Sequence, residues 1–294
     1  MLQRVLRSGN NSIEAKGMLQ RVLRSNLRCL TTIPAPLVVT SFDHATKVAT
    51  LTMAKPPVNS LSLEMCHEMS SAIHAIEADT NINSLLLKSS SSSIFSAGLD
   101  INEMHHPDPV RLADFWRAIQ QIFLDVYGSR LAVVAGIEAH SPAGGCLLAM
   151  CADYRVMASD PKFKIGLNET NLGIAAPYWL GELFVRTIGF REAESGLALA
   201  KLYSPQEALK INLVDEIVDQ ADVLDVAKAH AVQWAKIPPL ARSSGKMNLR
   251  SPYINELILN REKDIDDFCS FILTDNVQKS LDVYMEALSK RGKK

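Results

Sequence analysis

The chain has 294 residues, 47% hydrophobic and 21% charged, ample material for a globular core in one or two domains. Its formal net charge of −1 hides an asymmetry: residues 1–30 carry six basic groups against Glu14 alone, and the rest carries 25 basic and 31 acidic groups. That mildly acidic body argues against a general nucleic-acid surface, and no apolar run reaches the roughly 18 residues of a membrane span.

The basic start has the character of a mitochondrial transit peptide over residues 1–33. Leu2, Val5 and Leu6 share one helical face with Arg4 and Arg7 beside it, and acids are scarce. Met1–Ser8 reads MLQRVLRS, and Met18–Ser25 repeats it letter for letter. Eight residues are too few for a solenoid unit, so a duplicated targeting helix or a second start at Met18 is the plainer reading. Residues 34–294 are expected to form the folded domain, with 34–200 as its α/β core and 201–294 as a helical C-terminal part.

Val38–Phe42 and Lys47–Met53 read as short strands joined by a turn, and Lys55-Pro56-Pro57 stops the second. Ser62 caps a helix running to about Asp79, with Leu63, Met69, Ile73 and Ile76 on its apolar side. Ser84–Lys88 is a strand, and the serine run Ser89–Ser93 a loop. Pro109–Tyr127 is a helix. Leu131–Ile137 is almost wholly apolar, as a strand covered on both faces should be. Gly144–Cys151 reads as a buried helix and Tyr154–Ala158 as the next strand. After Pro177 the pattern turns helical: Tyr178–Thr187, Arg191–Ala200, Pro205–Lys210, Ala221–Lys236, Leu240–Leu249, Glu256–Phe268 and Asp275–Lys290, with one strand signal at Val214–Val218. Strand, glycine turn and helix alternate through the first two thirds. This argues for an α/β fold with right-handed crossovers.

Two glycine turns, Ser96-Ala97-Gly98-Leu99-Asp100 and Pro142-Ala143-Gly144-Gly145-Cys146, each follow a strand signal and open a helix. A helix N-terminus leaves backbone N–H groups unpaired and carries partial positive charge, and glycine lets a ligand approach them without a Cβ in the way. One such turn is weak evidence. Two, followed by Glu169 in Gly166-Leu167-Asn168-Glu169-Thr170, form a kit for making and quenching an enolate: two N–H groups for one oxygen, and a carboxylate to move protons on the carbon next to its carbonyl. Glu169 has a plainer alternative, capping a turn beside Asn168 and Thr170. Its apolar neighbours, among them Ile165, Leu167, Leu172 and Ile174, favour a desolvated base with a raised pKa.

The FSAGLD, PAGGC and GLNE segments, with Pro56-Pro57-Val58-Asn59-Ser60-Leu61-Ser62-Leu63-Glu64, resemble the crotonase (enoyl-CoA hydratase/isomerase) superfamily from about Leu37 to the C-terminus. The resemblance implies a spiral of ββα units with a helical C-terminal region, assembled as trimers or pairs of trimers. It implies that the N–H groups of Leu99 and Gly144 hold the thioester oxygen of an acyl-CoA. Ala97, Gly98, Leu99, Asp100 and Ile101 would line the coenzyme A path, and Glu169 would be the acid/base residue. No separate cofactor is implied, since coenzyme A is part of the substrate. The family's hydratases carry a second glutamate at the position of Leu147, which has no proton to give or take. The expectation is therefore a mitochondrial matrix isomerase of β-oxidation that moves the double bond of a 3-enoyl-CoA, cis or trans, to the 2-trans position. Alternatives are a hydratase or thioester hydrolase on the same fold, and a non-catalytic acyl-CoA-binding protein.

Other residues invite competing readings. His105-His106 is a possible metal pair, but adjacent helical residues diverge by about 100° and no third ligand is evident. Trp179, with Leu147, is either a wall of the acyl pocket or core. Cys146 reads as a small buried filler, Asp153 as half of a structural ion pair, and the basic tail from Lys290 as solvated or near the coenzyme A phosphates. The cysteines show no metal or CxxC spacing and are expected to be reduced, with Cys29 leaving with the presequence.

Overall fold

Val38–Asp43 (β1) and Val48–Met53 (β2) pair as an antiparallel hairpin at one edge of a six-stranded sheet of order β1-β2-β3-β4-β6-β8. Ser84–Ser89 (β3), Ala132–Ile137 (β4), Tyr154–Ala158 (β6) and Glu216–Val218 (β8) continue it with every pairing parallel. The computed structural model describes residues 35–291, and from Pro36 onward these form one compact unit. The expected presequence, its repeat and Cys29 lie outside the described residues.

Each parallel step needs a crossover, and helices supply it. Leu63–Ala78 (α1) begins at Ser62, whose side chain accepts from Met65 N, and buries Met65, Met69, Ile73 and Ile76. Pro109–Tyr127 (α2) starts at its proline, with Asp108 capping the N–H of Arg111 at 2.9 Å. Ser141–Pro142 (β5), Gly144–Cys151 (α3) and Ile165–Gly166 (β7) follow, and all eight residues of α3 are buried. β4 is buried along its whole length, which accounts for its unbroken apolar run.

The C-terminal third holds Tyr178–Ile188 (α4), Phe190–Ala198 (α5), Pro205–Lys210 (α6), Val223–Ala235 (α7), Pro239–Ile272 (α8) and Asp275–Arg291 (α9). α7 lies on the sheet: a Cβ added to Gly136 of β4 would stand 3.1 Å from Leu224 Cδ2 and 3.4 Å from Ala227 Cβ. β8 joins the main sheet beside β6, so the sheet runs past residue 200, where the sequence reading begins the helical part.

The two expected helices Leu240–Leu249 and Glu256–Phe268 are one 34-residue helix, α8, with Pro252 inside it. An interior proline removes a backbone bond and costs about 3 kcal/mol, which is why the pattern reads as two. Tertiary contacts on both sides outweigh that cost. Lys246 and Arg250 hold the buried Asp153 at 2.8 Å each, and beyond the proline the Tyr253 hydroxyl donates to the Trp179 carbonyl.

Candidate active site

Short backbone pairings outside the main sheet gather the two glycine turns and the Glu169 segment. Leu61 bridges to Leu99, Ile94 to His140, and β5 pairs with β7. In detail, Leu61 N donates to Gly98 O at 2.8 Å, Phe95 N to His140 O at 2.8 Å, and Ala143 N to Gly166 O at 2.8 Å. Three residues after Gly166 the chain reaches Glu169.

The first turn is braced by Ser96, whose Oγ donates to Asn59 O at 2.7 Å and accepts from Gly98 N at 3.1 Å. Gly98 has φ +89°, and a Cβ there would stand 2.7 Å from Gly144 N. A Cβ at Gly144 would in turn stand 3.2 Å from Leu99 N. The two turns thus touch backbone to backbone, and the amide nitrogens of Leu99 and Gly144 are close neighbours. Gly98 O and Asp100 N both bond Leu61, so the N–H of Leu99 faces the other way. Gly144 opens α3, where an N–H has no intrahelical partner. Among the described residues neither N–H has a backbone acceptor. Ala143, just before, has φ +51° and ψ −123°, a strained conformation for a residue with a Cβ.

The turns open onto a cleft of about 540 Å³. Ala97, Leu99, Asp100 and Ile101 line one side, and Ala143 and Glu169 lie along it. Tyr284, Met285 and Leu288 of α9 also line it. Gly98 and Gly144 pack against each other directly beside Leu99 and Ala143, which line it.

Glu169 begins a 3-10 turn over Glu169–Leu172 and is only 7% exposed. Asn168, the residue before that turn, makes no side-chain cap bond, and among the described residues the Glu169 Oε2 is buried without a hydrogen-bond partner. Burial pushes the carboxyl up to about 7, opposed only by its own backbone N–H. The cleft's other carboxylate, Asp100, is in the opposite state. Burial pushes it up, but Lys55 Nζ at 2.6 Å and Ser60 Oγ at 2.8 Å outweigh that and hold it below its ordinary value.

Residues 43–292 match the family model described as enoyl-CoA hydratase/isomerase. The chain belongs to this family. It is 46% identical over 244 residues to mouse "Enoyl-CoA delta isomerase 1, mitochondrial", covering 83% of this chain and 84% of that protein. The crystal structure of human mitochondrial delta3-delta2-enoyl-CoA isomerase superposes with a TM-score of 0.85 at 40% identity, covering 87% of this chain and 99% of that one. An enoyl-CoA hydratase from Bacillus halodurans, at 22% identity, TM-score 0.76 and coverage of 84% and 99%, shares the fold.

Sequence alone leaves Leu147 and Trp179 of this enoyl-CoA hydratase/isomerase family site as either acyl-pocket wall or core; both are buried, and neither is among the residues that line this cleft. Leu147 sits in the core one turn into α3, its N–H bonded to Ala143 O at 3.0 Å. Trp179 is drawn into an aromatic cluster with Trp116 and Phe123, and its indole N–H donates to Asp264 at 3.1 Å. A buried indole needs such an acceptor, and α8 offers one away from the cleft. Leu172, Ile174 and the three α9 residues give the cleft its apolar surface instead.

Sequence reasoning placed the helix Asp275–Lys290 and ended a strand at Lys55, but gave neither α9 nor Lys55 a place at the cleft. Lys55 follows a strand and carries no motif; α9 shows only an amphipathic pattern, which does not say what it covers. Cys146 is buried, as expected of a filler, and burial pushes its thiol well up. Cys66, Cys146, Cys151 and Cys269 are free thiols. Asp153 is ion-paired with Lys246 and Arg250, away from the cleft.

Proposed function

We propose that this protein is a Δ3,Δ2-enoyl-CoA isomerase of fatty-acid β-oxidation, acting in the mitochondrial matrix on 3-enoyl-CoA of cis or trans configuration. The N–H groups of Leu99 and Gly144 hold the thioester oxygen, and the 97–101 backbone guides the coenzyme A moiety, which is part of the substrate. Glu169 removes a C2 proton, giving a dienolate spread over the oxyanion, C2 and C4. The same carboxyl returns the proton to C4, leaving the 2-trans double bond. Proton and electrons balance within the substrate, so no further cofactor is needed.

One observation carries this reading. Among the described residues two carboxylates line the cleft: Asp100 is paired with Lys55, and Glu169 is the one buried with an oxygen that has no hydrogen-bond partner. Hydration requires two polar groups working on water, and Leu147 supplies none. A single carboxylate with a pKa near neutrality suits a proton shuttle between two carbons. Assembly as a homotrimer belongs to the same reading, as the family resemblance implies.

Purified protein incubated separately with 3-enoyl-CoA and 2-enoyl-CoA tests the reading. The expected result is 2-trans-enoyl-CoA from the first and no 3-hydroxyacyl-CoA from the second. Rapid formation of 3-hydroxyacyl-CoA makes the protein a hydratase. Release of free coenzyme A makes it a thioester hydrolase. Binding without turnover of either substrate makes it a non-catalytic acyl-CoA binder.

A further inference from the structure

His105 and His106 lie outside the proposed chemistry, and two considerations argue from sequence against a metal: adjacent side chains diverge, and no third ligand is near in the chain. The fold reverses both. The chain has left its 3-10 turn (Ile101–Glu103) at Met104, and His106 adopts φ +46°. The two imidazoles therefore converge, with ring centroids 4.5 Å apart. Asp282, 176 residues further on in α9, supplies a third group. Its Oδ1 lies 2.8 Å from His105 Nε2 and 2.9 Å from His106 Nε2. One ligand atom from each of the three side chains falls within 4.8 Å of the others.

The loop is held in this shape from α9 itself. Gln278, one helical turn before Asp282, accepts from His106 N at 2.7 Å and donates to Met104 O at 3.0 Å and Ile272 O at 2.8 Å. A left-handed residue costs of the order of 1–3 kcal/mol and persists where its surroundings over-determine it, as this buried amide does. Two imidazoles and one carboxylate form the donor set of zinc-class ions and are poorly matched to magnesium or calcium. A tetrahedral ion with bonds of about 2.1 Å holds its ligand atoms roughly 3.4 Å apart. The three ligand atoms already lie within 4.8 Å of one another, and the Asp282 side chain is half-exposed, so solvent rather than packing borders it on one side.

We propose that His105, His106 and Asp282 bind a divalent transition metal of the zinc class. The ion clips α9 to the segment that follows the first glycine turn. The location gives this a consequence: Ile101 and Met104 on one side, and Tyr284 and Met285 on the other, line the same cleft. The bound ion fixes two walls of the cleft relative to each other while keeping at least one position for water.

Isothermal titration of the full chain, stripped with a chelator, with zinc chloride and then magnesium chloride tests this, together with amide hydrogen exchange over α9. The expected result is saturable binding of one zinc per chain, no response to magnesium, and slowed exchange across Asp275–Arg291. His105→Ala and Asp282→Asn should each weaken zinc binding about tenfold or more and abolish the protection. Asp282→Asn keeps the side chain's shape, so its loss of binding reports ligation rather than folding. No saturable zinc binding, or binding that both variants retain, overturns the site; zinc binding without slowed exchange in the parent chain overturns the clip. These readouts do not depend on isomerase activity, so failure of the proposed function would leave them unaffected.

Discussion

Gly98 and Gly144 meet with no side chain between them: a Cβ added to Gly144 would stand 3.1 Å from the Cα of Gly98. Forty-six residues separate them, and the contact sets the spacing of the two N–H groups proposed to hold the thioester oxygen.

Gly144→Ala tests that spacing. The new methyl meets Leu61 Cδ1 at 3.0 Å and Leu99 N at 3.2 Å, so the turns must part by a few tenths of an ångström. Removing an oxyanion donor costs about 10²–10³ in rate, and a partial displacement should cost about tenfold to a hundredfold in kcat. Steady-state kinetics with 3-enoyl-CoA, alongside a melting curve showing a folded protein, checks it. Unchanged kcat would remove Gly144 from the oxyanion hole.

Glu169→Gln keeps the shape and abolishes the basicity. The expected loss is about 10²–10⁴ in kcat, and a loss smaller than tenfold would argue against the role. In the parent enzyme the base must be ionised, and its carboxyl titrates at about 7. The profile of kcat/KM against pH should rise with unit slope below about pH 7 and level off above it.

The same residue links pH to stability. Its ordinary value is 4.5 and its folded value about 7, so between these the folded chain holds a proton that the unfolded chain has lost. The contribution of Glu169 to stability is therefore lost as pH rises through that window. Glu169→Gln should be more stable than the parent above pH 8, by up to about 3 kcal/mol, with the gap closing below pH 5. Denaturant titrations at the two pH values measure the difference. A gap that does not vary with pH would show that the carboxyl is not desolvated.

Trp179→Phe separates core from pocket. The change removes the indole donor to Asp264, which keeps Trp116 at 2.8 Å and Gln120 at 2.7 Å, and leaves a small void. Stability should fall by about 1–2 kcal/mol in denaturant. KM for enoyl-CoA should stay within about twofold. A large rise in KM with no loss of stability would return Trp179 to the acyl pocket.

What the sequence determined by itself was local in origin. β4 was legible because a strand covered on both faces needs an unbroken apolar run, and α1 because Ser62 caps a 3.6-residue pattern. The glycine turns and Glu169 could be singled out because their backbone and side-chain chemistry is written in single residues. Which groups meet was decided by long-range packing. The two-residue strands β5 and β7 are too short to leave a periodic signal, yet they carry the second turn toward Glu169. The Pro252 helix is continuous because contacts to Asp153 and Trp179 outweigh a local penalty. Trp179 went to the core because the acceptor for its N–H lies 85 residues away, and Asp282 reached the histidines because α9 folds back over the cleft. Such pairings depend on distances between segments far apart in the chain, which no short window of sequence contains.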